Sequence, residues 1–353
     1  MTVSVSALDS SDISAECAVL ISQQTGEVIF KKNAYIMAST TKIMTSLLAA
    51  QSGKLHDEIT VSKEMILVEG TSMGLLPGDS VSLYELIYGM LLPSGNDAAN
   101  VTAYYLGGNV ENFVKKMNAK AKEIGMENTN FVTPSGLDDE MHYSTAYDMA
   151  ILGRYAVGDP VFRSVCSSKK ASLSYGNPPY KRTLYNHNRL LESYKYTLGI
   201  KTGFTKKSGR CLVSYAEKDG TGLIAVTLNA PNDWNDHKLM LDYGFSKLKR
   251  YVFKPIIPEY MNVVGGNVEN LKISCEQFEY DSLEHRNVIQ KLVIDKFAYA
   301  PIKKGDKLGK VMLYLDGSYI GSTDICAAED VGLLIQKQEK KSFFQRIKER
   351  FLK

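Results

Sequence analysis

An α+β fold is expected for most of this chain, followed by a small all-β domain and a basic amphipathic helix. Three observations carry that reading. A β-hairpin opens the chain, helical patterns fill its middle, and a trio of strands appears after residue 196, which implies one antiparallel sheet with helices on both sides. Near Lys254-Pro255 the texture changes to short alternating strands with Gly and Asp turns, such as Lys310 to Leu315 before Asp316-Gly317. The last residues, from Lys340 to Lys353, set Phe344, Ile347 and Phe351 on one helical face, with Phe343 and Leu352 beside them among basic side chains. The expected domains are therefore 12–255, 256–330 and 331–353.

The elements follow from local signals. The hairpin reads Glu16 to Ser22, a Gln-Gln-Thr-Gly turn, then Glu27 to Phe30. A helix is expected from Thr40 to Gln51, with Ile43, Met44, Leu47 and Leu48 on its buried face and Gly53 ending it. The glycine-rich stretch Gly70 to Asp79 reads as loop, its glycines serving turns rather than phosphates. Ser82 caps a helix through Leu92 with Leu83, Leu86, Ile87 and Met90 as its stripe. Helices are expected over Asp97 to Leu106 and Val110 to Ile124, each stopped by glycine, and from a Ser144 cap through Ala156. Val165 to Tyr196 reads as extended pieces and loops. Strands are expected at Ile200 to Thr205, Cys211 to Ala216 and Leu223 to Leu228, the last two joined by an Asp219-Gly220 turn, and a helix from Asp233 to Leu248.

Composition narrows the function classes. The 353 residues are 44% hydrophobic and 23% charged, enough apolar content for a large core. A net charge of +3 without aromatic-basic stripes does not suggest nucleic acid. The five cysteines lack Cys-x-x-Cys spacing and the histidines are scattered, so neither a metal site nor a cofactor is expected. Whether Cys275 and Cys326 pair is left open. The N-terminus lacks the basic start and apolar core of an export signal, and is read as following one that has been removed.

The chemistry is signalled at Ser39. It sits where the hairpin gives way to the first helix, and Lys42, nearly one turn on, lies over its hydroxyl. A lysine kept unprotonated can take the hydroxyl proton and make the serine a nucleophile. Ser-x-x-Lys alone is weak. Two further elements follow in order, Ser94-Gly95-Asn96 after a helical run and Lys201-Thr202-Gly203 after a short apolar segment, which is the three-part set of penicillin-binding proteins and serine β-lactamases. The chain also carries Leu91-Leu92-Pro93 before Ser94, Asp97-Ala98-Ala99 after Asn96, Pro134-Ser135-Gly136-Leu137, and His142 to Ala150.

On these residues the chain, from about Ala15 to about Asp330, resembles the low-molecular-weight penicillin-binding proteins that are serine D-alanyl-D-alanine carboxypeptidases, peptidase family S11. The resemblance implies a β-lactamase/transpeptidase-like sheet flanked by helices, with Ser39 as nucleophile, Lys42 as its base, and Ser94 relaying a proton to the departing D-alanine. It implies that Asn96 bonds Lys42 and the substrate amide, that Lys201 and Thr202 hold the terminal carboxylate, and that Gly203 lets the ligand approach the strand. The oxyanion site would be the backbone N–H groups of Ser39 and Phe204, worth on the order of 3 kcal/mol each. Lys201 is expected to help burial keep Lys42 neutral. His187 stands where some relatives carry an arginine and would bind carboxylate only when protonated; His142 reads as structural.

The implied partners are peptidoglycan stem peptides and β-lactam antibiotics, with an anionic membrane surface for the C-terminal helix and a peripheral, extracytoplasmic location. No Glu-x-x-Leu-Asn lies between the second and third motifs, so rapid penicillin turnover is not expected. The alternatives are a D,D-transpeptidase or endopeptidase, or a non-catalytic β-lactam-sensing, peptidoglycan-binding protein.

Overall fold

The computed structural model describes residues 8–33 and 40–334. Ser39, Met1 to Ala7 and the expected C-terminal helix lie outside the described residues. The chain divides into two compact units, one running to Arg250 and including Asp281–His285, the other holding Tyr251–Tyr280 and the residues from Arg286 onward.

In the first unit the order is β1 (Cys17–Ser22), β2 (Val28–Lys32), α1 (Lys42–Ala50), β3 (Glu58–Thr60), β4 (Ser80–Ser82), α2 (Leu83–Leu91), α3 (Asn96–Gly107), α4 (Val110–Glu123), α5 (Ala146–Ala156) and α6 (Pro160–Cys166). The hairpin β5 (Lys170–Gly176) and β6 (Pro179–Tyr185), a short α7 (Leu190–Ser193), then β7 (Thr197–Thr205), β8 (Gly209–Lys218), β9 (Thr221–Leu228) and α8 (Asp233–Lys247) complete it, and β10 (Lys249–Phe253) begins in this unit and ends in the other. The main sheet is antiparallel with strand order β2-β1-β9-β8-β7. The opening hairpin thus docks on the late strands through β1 and β9, and β7 is left as an edge.

Both faces of this sheet are covered, so β1 is buried along its whole length. Val19 and Ile21 point into the larger core with Ile43, Met44, Leu47, Leu86 and Met90, whereas Ala18 and Leu20 point into a second core with Leu223, Met240 and Leu241 of β9 and α8. The first-helix pattern departs from expectation in one respect. Ile43, Met44 and Leu47 are buried, but so are Lys42, Thr45, Ser46, Ala49 and Ala50, because α1 runs through the middle of the helical layer rather than along its surface.

Caps account for the other boundaries. Ser82 and Glu85 form a reciprocal capping box at the start of α2, with Ser82 N donating to Glu85 Oε2 at 2.8 Å. α5 is capped by Thr145, not Ser144, whose hydroxyl is engaged with Thr129 Oγ1 at 2.8 Å. Helix α6, absent from the sequence expectation, has an Asp159 N-cap and a proline in its first turn.

The second unit is all-β: β11 (Tyr260–Val264), β12 (Asn270–Cys275), β13 (Phe278–Ser282), β14 (Val288–Ile294), β15 (Phe297–Tyr299), β16 (Lys307–Leu315) and β17 (Ser318–Ala327). Six of these form a sheet in the order β14-β16-β17-β12-β11-β15, over a core of Leu271, Val311, Leu313 and Ile325. The open cysteine question is answered here. Cys275 stands opposite Ile325 and Cys326 opposite Ser274, so their side chains leave opposite faces of the sheet and both remain thiols.

Candidate active site

A cleft of about 460 Å³ in the first unit is lined by Lys42, Ser94, Asn96, Thr202, Gly203 and Phe204, all singled out in the sequence. Its remaining walls include Gly70, Thr71, Ser135, Gly136, His187 and Arg189. Of the two other singled-out residues, Ser39 is outside the described residues and Lys201 lies buried behind the wall on β7.

The start of α1 is fixed by the segment that carries Pro134-Ser135-Gly136. Lys42 Nζ donates to the Ser135 carbonyl at 2.8 Å, and Thr45 Oγ1 donates to the Pro134 carbonyl at 2.6 Å. Thr41 Oγ1 meets His142 Nε2 at 2.7 Å. Because Val132 N donates to His142 Nδ1 at 3.1 Å, the ring proton is on Nε2 and is given to Thr41. Burial holds the His142 pKa down at about 4, so this ring is neutral and structural, as the sequence suggests.

Burial lowers Lys42 to about 8, against the attraction of Asp97, which raises it. Lys201 is held well below 10.5 by burial first and by the charge of Lys42 second, and its Nζ donates to the Thr202 carbonyl at 2.7 Å. The expected influence thus runs the other way: the charge of Lys42 lowers Lys201, and desolvation rather than Lys201 depresses Lys42. Burial, and then Lys201, lower His187 as well, so its imidazole is not a cation at neutral pH.

Ser94 occupies the turn between α2 and α3 with φ 65°, a left-handed conformation that costs roughly 1 kcal/mol for a side chain of this kind. The turn is clamped from the glycine-rich loop. Thr71 Oγ1 donates to the Ser94 carbonyl, Asn96 N donates to the Thr71 carbonyl at 2.7 Å, and Asn96 Nδ2 donates to the Glu69 carbonyl at 2.6 Å. The amide of Asn96, expected on Lys42, is therefore turned to the loop. Asp97, one residue further, accepts from Ser72 Oγ and from the N–H groups of Met73, Gly74 and Leu75. Gly70 has φ +94°, and a Cβ there would fall 2.6 Å from Asn96 Nδ2, so the loop approaches only because this residue is glycine.

The third wall is the free edge of β7. Lys201 points inward toward Lys42, while Thr202 and Phe204 belong to the opposite face of the strand, with Phe204 68% exposed at the mouth of the cleft.

This arrangement puts a basic amine of lowered pKa, two polar turn side chains and a strand edge around one opening. The family model for D-alanyl-D-alanine carboxypeptidases, Peptidase S11, matches residues 2–232. The chain belongs to peptidase family S11. Residues 257–333 match the model of the penicillin-binding protein 5 C-terminal domain. The D-alanyl-D-alanine carboxypeptidase DacF of Bacillus subtilis is 35% identical over 339 residues, covering 90% of this chain and 86% of its own length. DacC of Escherichia coli is 31% identical, covering 96% of this chain and 88% of its own. Among solved structures, penicillin binding protein 5 from Haemophilus influenzae superposes with a TM-score of 0.66 at 29% identity, over 92% of this chain and all of that one. The Streptomyces K15 DD-transpeptidase superposes with a TM-score of 0.63 at 30% identity, over 66% of this chain and 98% of that one. The S11 chain described here is accordingly a serine-type D-alanyl-D-alanine carboxypeptidase with the α+β fold of that family.

Ser135 belongs to the Pro134-to-Leu137 stretch already singled out, whereas Thr71, Arg189, Arg210, Asp233 and Trp234 have no functional role assigned from sequence and come from separate segments that meet only in space.

Proposed function

We propose that this enzyme removes the terminal D-alanine from peptidoglycan stem pentapeptides through an acyl-enzyme on Ser39, and that β-lactams acylate the same hydroxyl. The observation that carries this reading is the convergence of Lys42, Ser94, Asn96 and the Thr202-to-Phe204 edge on one cleft, with the lysine beside the expected nucleophile lowered to about 8. Neutral Lys42 takes the Ser39 proton as Oγ attacks the carbonyl of the penultimate D-alanine. The tetrahedral oxygen is received by the N–H groups of Ser39 and Phe204. Ser94 passes a proton to the departing amine, the C–N bond breaks, and water then hydrolyses the ester. Asn96 orients the substrate amide, and the edge of β7 at Lys201-Thr202-Gly203 accepts the extended peptide as an added strand.

In this reading residues 12–255 carry the reaction, 256–330 form a stalk or partner surface, and 331–353 lie on an anionic membrane, peripheral on the outer face. Among the described residues no helix is long and apolar enough to cross a membrane. The test is D-alanine release from diacetyl-lysyl-D-alanyl-D-alanine. Release lost in Ser39→Ala supports the reading; undiminished release in that variant, or dimeric peptide as the main product, refutes it. Equal co-sedimentation with anionic liposomes by the whole chain and one ending at Gln338 would end the membrane assignment.

A further inference from the structure

A sheet with one solvated face sends apolar residues inward and polar ones outward, and the second unit keeps that rule on β12, where Leu271 and Ile273 are buried and Asn270 and Lys272 are exposed. The rule breaks at the β15 edge of the six-stranded sheet. Along β11, Met261 enters the core while Tyr260 and Val264 face out, 51% and 46% exposed. β15 runs parallel to β11 with Phe297 opposite Asn262 and Tyr299 opposite Val264, so both rings share that outward face. Tyr299 is 69% exposed, and its ring meets that of Phe297 edge-on at 5.4 Å.

The described chain ends at the same corner. Leu333 bridges Gly266, and Leu334 N donates to the Gly265 carbonyl at 2.9 Å, one residue beyond Val264. Both leucines are more than half exposed. Tyr260, Val264, Phe297, Tyr299, Leu333 and Leu334 thus face water around one exit, with Glu269, Asp295 and Lys296 exposed beside them in sequence. Contiguous apolar surface of this kind marks a contact site, and tyrosine and phenylalanine suit the boundary between lipid headgroups and acyl chains. The 335–353 segment that continues from Leu334 holds seven Lys or Arg against two Glu, together with Phe343, Phe344, Ile347 and Phe351, a composition that favours an anionic lipid surface over a protein groove as the occupant.

We propose that this corner of the second unit is a further membrane-contacting surface, entering the headgroup boundary of an anionic phospholipid bilayer through Phe297 and Tyr299. The inference rests on the membrane reading of 331–353 and deepens it. The basic segment supplies a charge attraction that salt screens, whereas the corner supplies apolar burial that salt leaves in place. Two weak contacts on one body hold it to the surface more firmly than either alone, because the second binds at the high effective concentration set by the first.

The test is co-sedimentation of the whole chain with vesicles of equal parts phosphatidylglycerol and phosphatidylcholine, at low salt and at about 0.5 M salt. Phe297→Ser with Tyr299→Ser should lower the partition coefficient by roughly 10-fold or more, and the ratio of wild type to double variant should persist at high salt. Ile289→Ser, which removes an exposed side chain at the far end of β14, should change it by less than about twofold. Amide exchange gives a readout free of substitutions: vesicles should slow exchange at 260–264 and 297–300 in the wild type. Unchanged partition in the double variant, an equal loss in Ile289→Ser, or unaltered exchange at those strands would overturn the proposal. Protection of the same strands without vesicles, released in the chain ending at Gln338, would assign the face to the protein's own C-terminal segment and overturn it as well. Equal sedimentation by the whole and the shortened chain would end the C-terminal assignment alone, since the corner is intact in both.

Discussion

The perturbation that probes the site most finely is pH, acting on Lys42. Burial lowers this amine from an ordinary 10.5 to about 8, so at pH 7 about one tenth of it is the free base. An amine left at 10.5 would be about 0.03% free base at that pH, and the burial of Lys42 therefore enriches the catalytic form about 300-fold. The second-order rate of acylation by benzylpenicillin, followed by stopped-flow or quenched mass spectrometry, should rise about tenfold from pH 6 to 7, slow its rise near 8, and level above it. Asp97 raises the Lys42 pKa, so Asp97→Asn should move the bend to lower pH. A rate flat from pH 6 to 9, or one still climbing tenfold per unit at pH 9.5, would show that Lys42 is not the base that limits acylation.

Four other substitutions test the packing around the cleft. Lys42→Met should stabilise the fold at pH 7 by about 3 kcal/mol, because a depressed lysine destabilises the native state wherever it is protonated in both states. Relative to this variant the wild type should recover stability as pH rises from about 8 toward 10.5, a trend that denaturant titrations at several pH values would detect. Gly70→Ala and Gly78→Ala both force a side chain into positive φ, at about 1–2 kcal/mol each, but a Cβ strikes Asn96 only at Gly70. D-alanine release should accordingly fall in Gly70→Ala and hold in Gly78→Ala. Asp97→Ala leaves the N–H groups of Met73 and Leu75 and the Ser72 hydroxyl without their acceptor, and should cost about 3 kcal/mol or more, read as a melting temperature lower by about 6–12 °C.

Much of the fold can be read locally because its signals are local. The Ser82 cap with Glu85 three residues on, the continuous apolar runs of β8 and β9 and the Asp219-Gly220 turn each depend on a few neighbouring residues. The Ser-x-x-Lys, Ser-Gly-Asn and Lys-Thr-Gly elements are equally legible, since each ends or begins an element whose periodicity is clear. What escapes is what tertiary packing decides. α1 reads as a helix with one apolar face, yet its polar residues are buried too, and two of them, Lys42 and Thr45, bond the Ser135 and Pro134 carbonyls of a segment some ninety residues away. Ser144 and Thr145 are both competent caps, and the choice follows from Thr129 occupying the first of them. The Arg210, Asp233 and Trp234 corner has no motif at all, as it forms only when β8 and α8 come together.

The hydroxyl on which the account turns can be addressed directly by mass spectrometry after brief exposure to benzylpenicillin. A single penicilloyl group should appear on the tryptic peptide Asn33 to Lys42, and none in Ser39→Ala. An adduct on the peptide bearing Ser94, or on any other, or an undiminished adduct in Ser39→Ala, would contradict it.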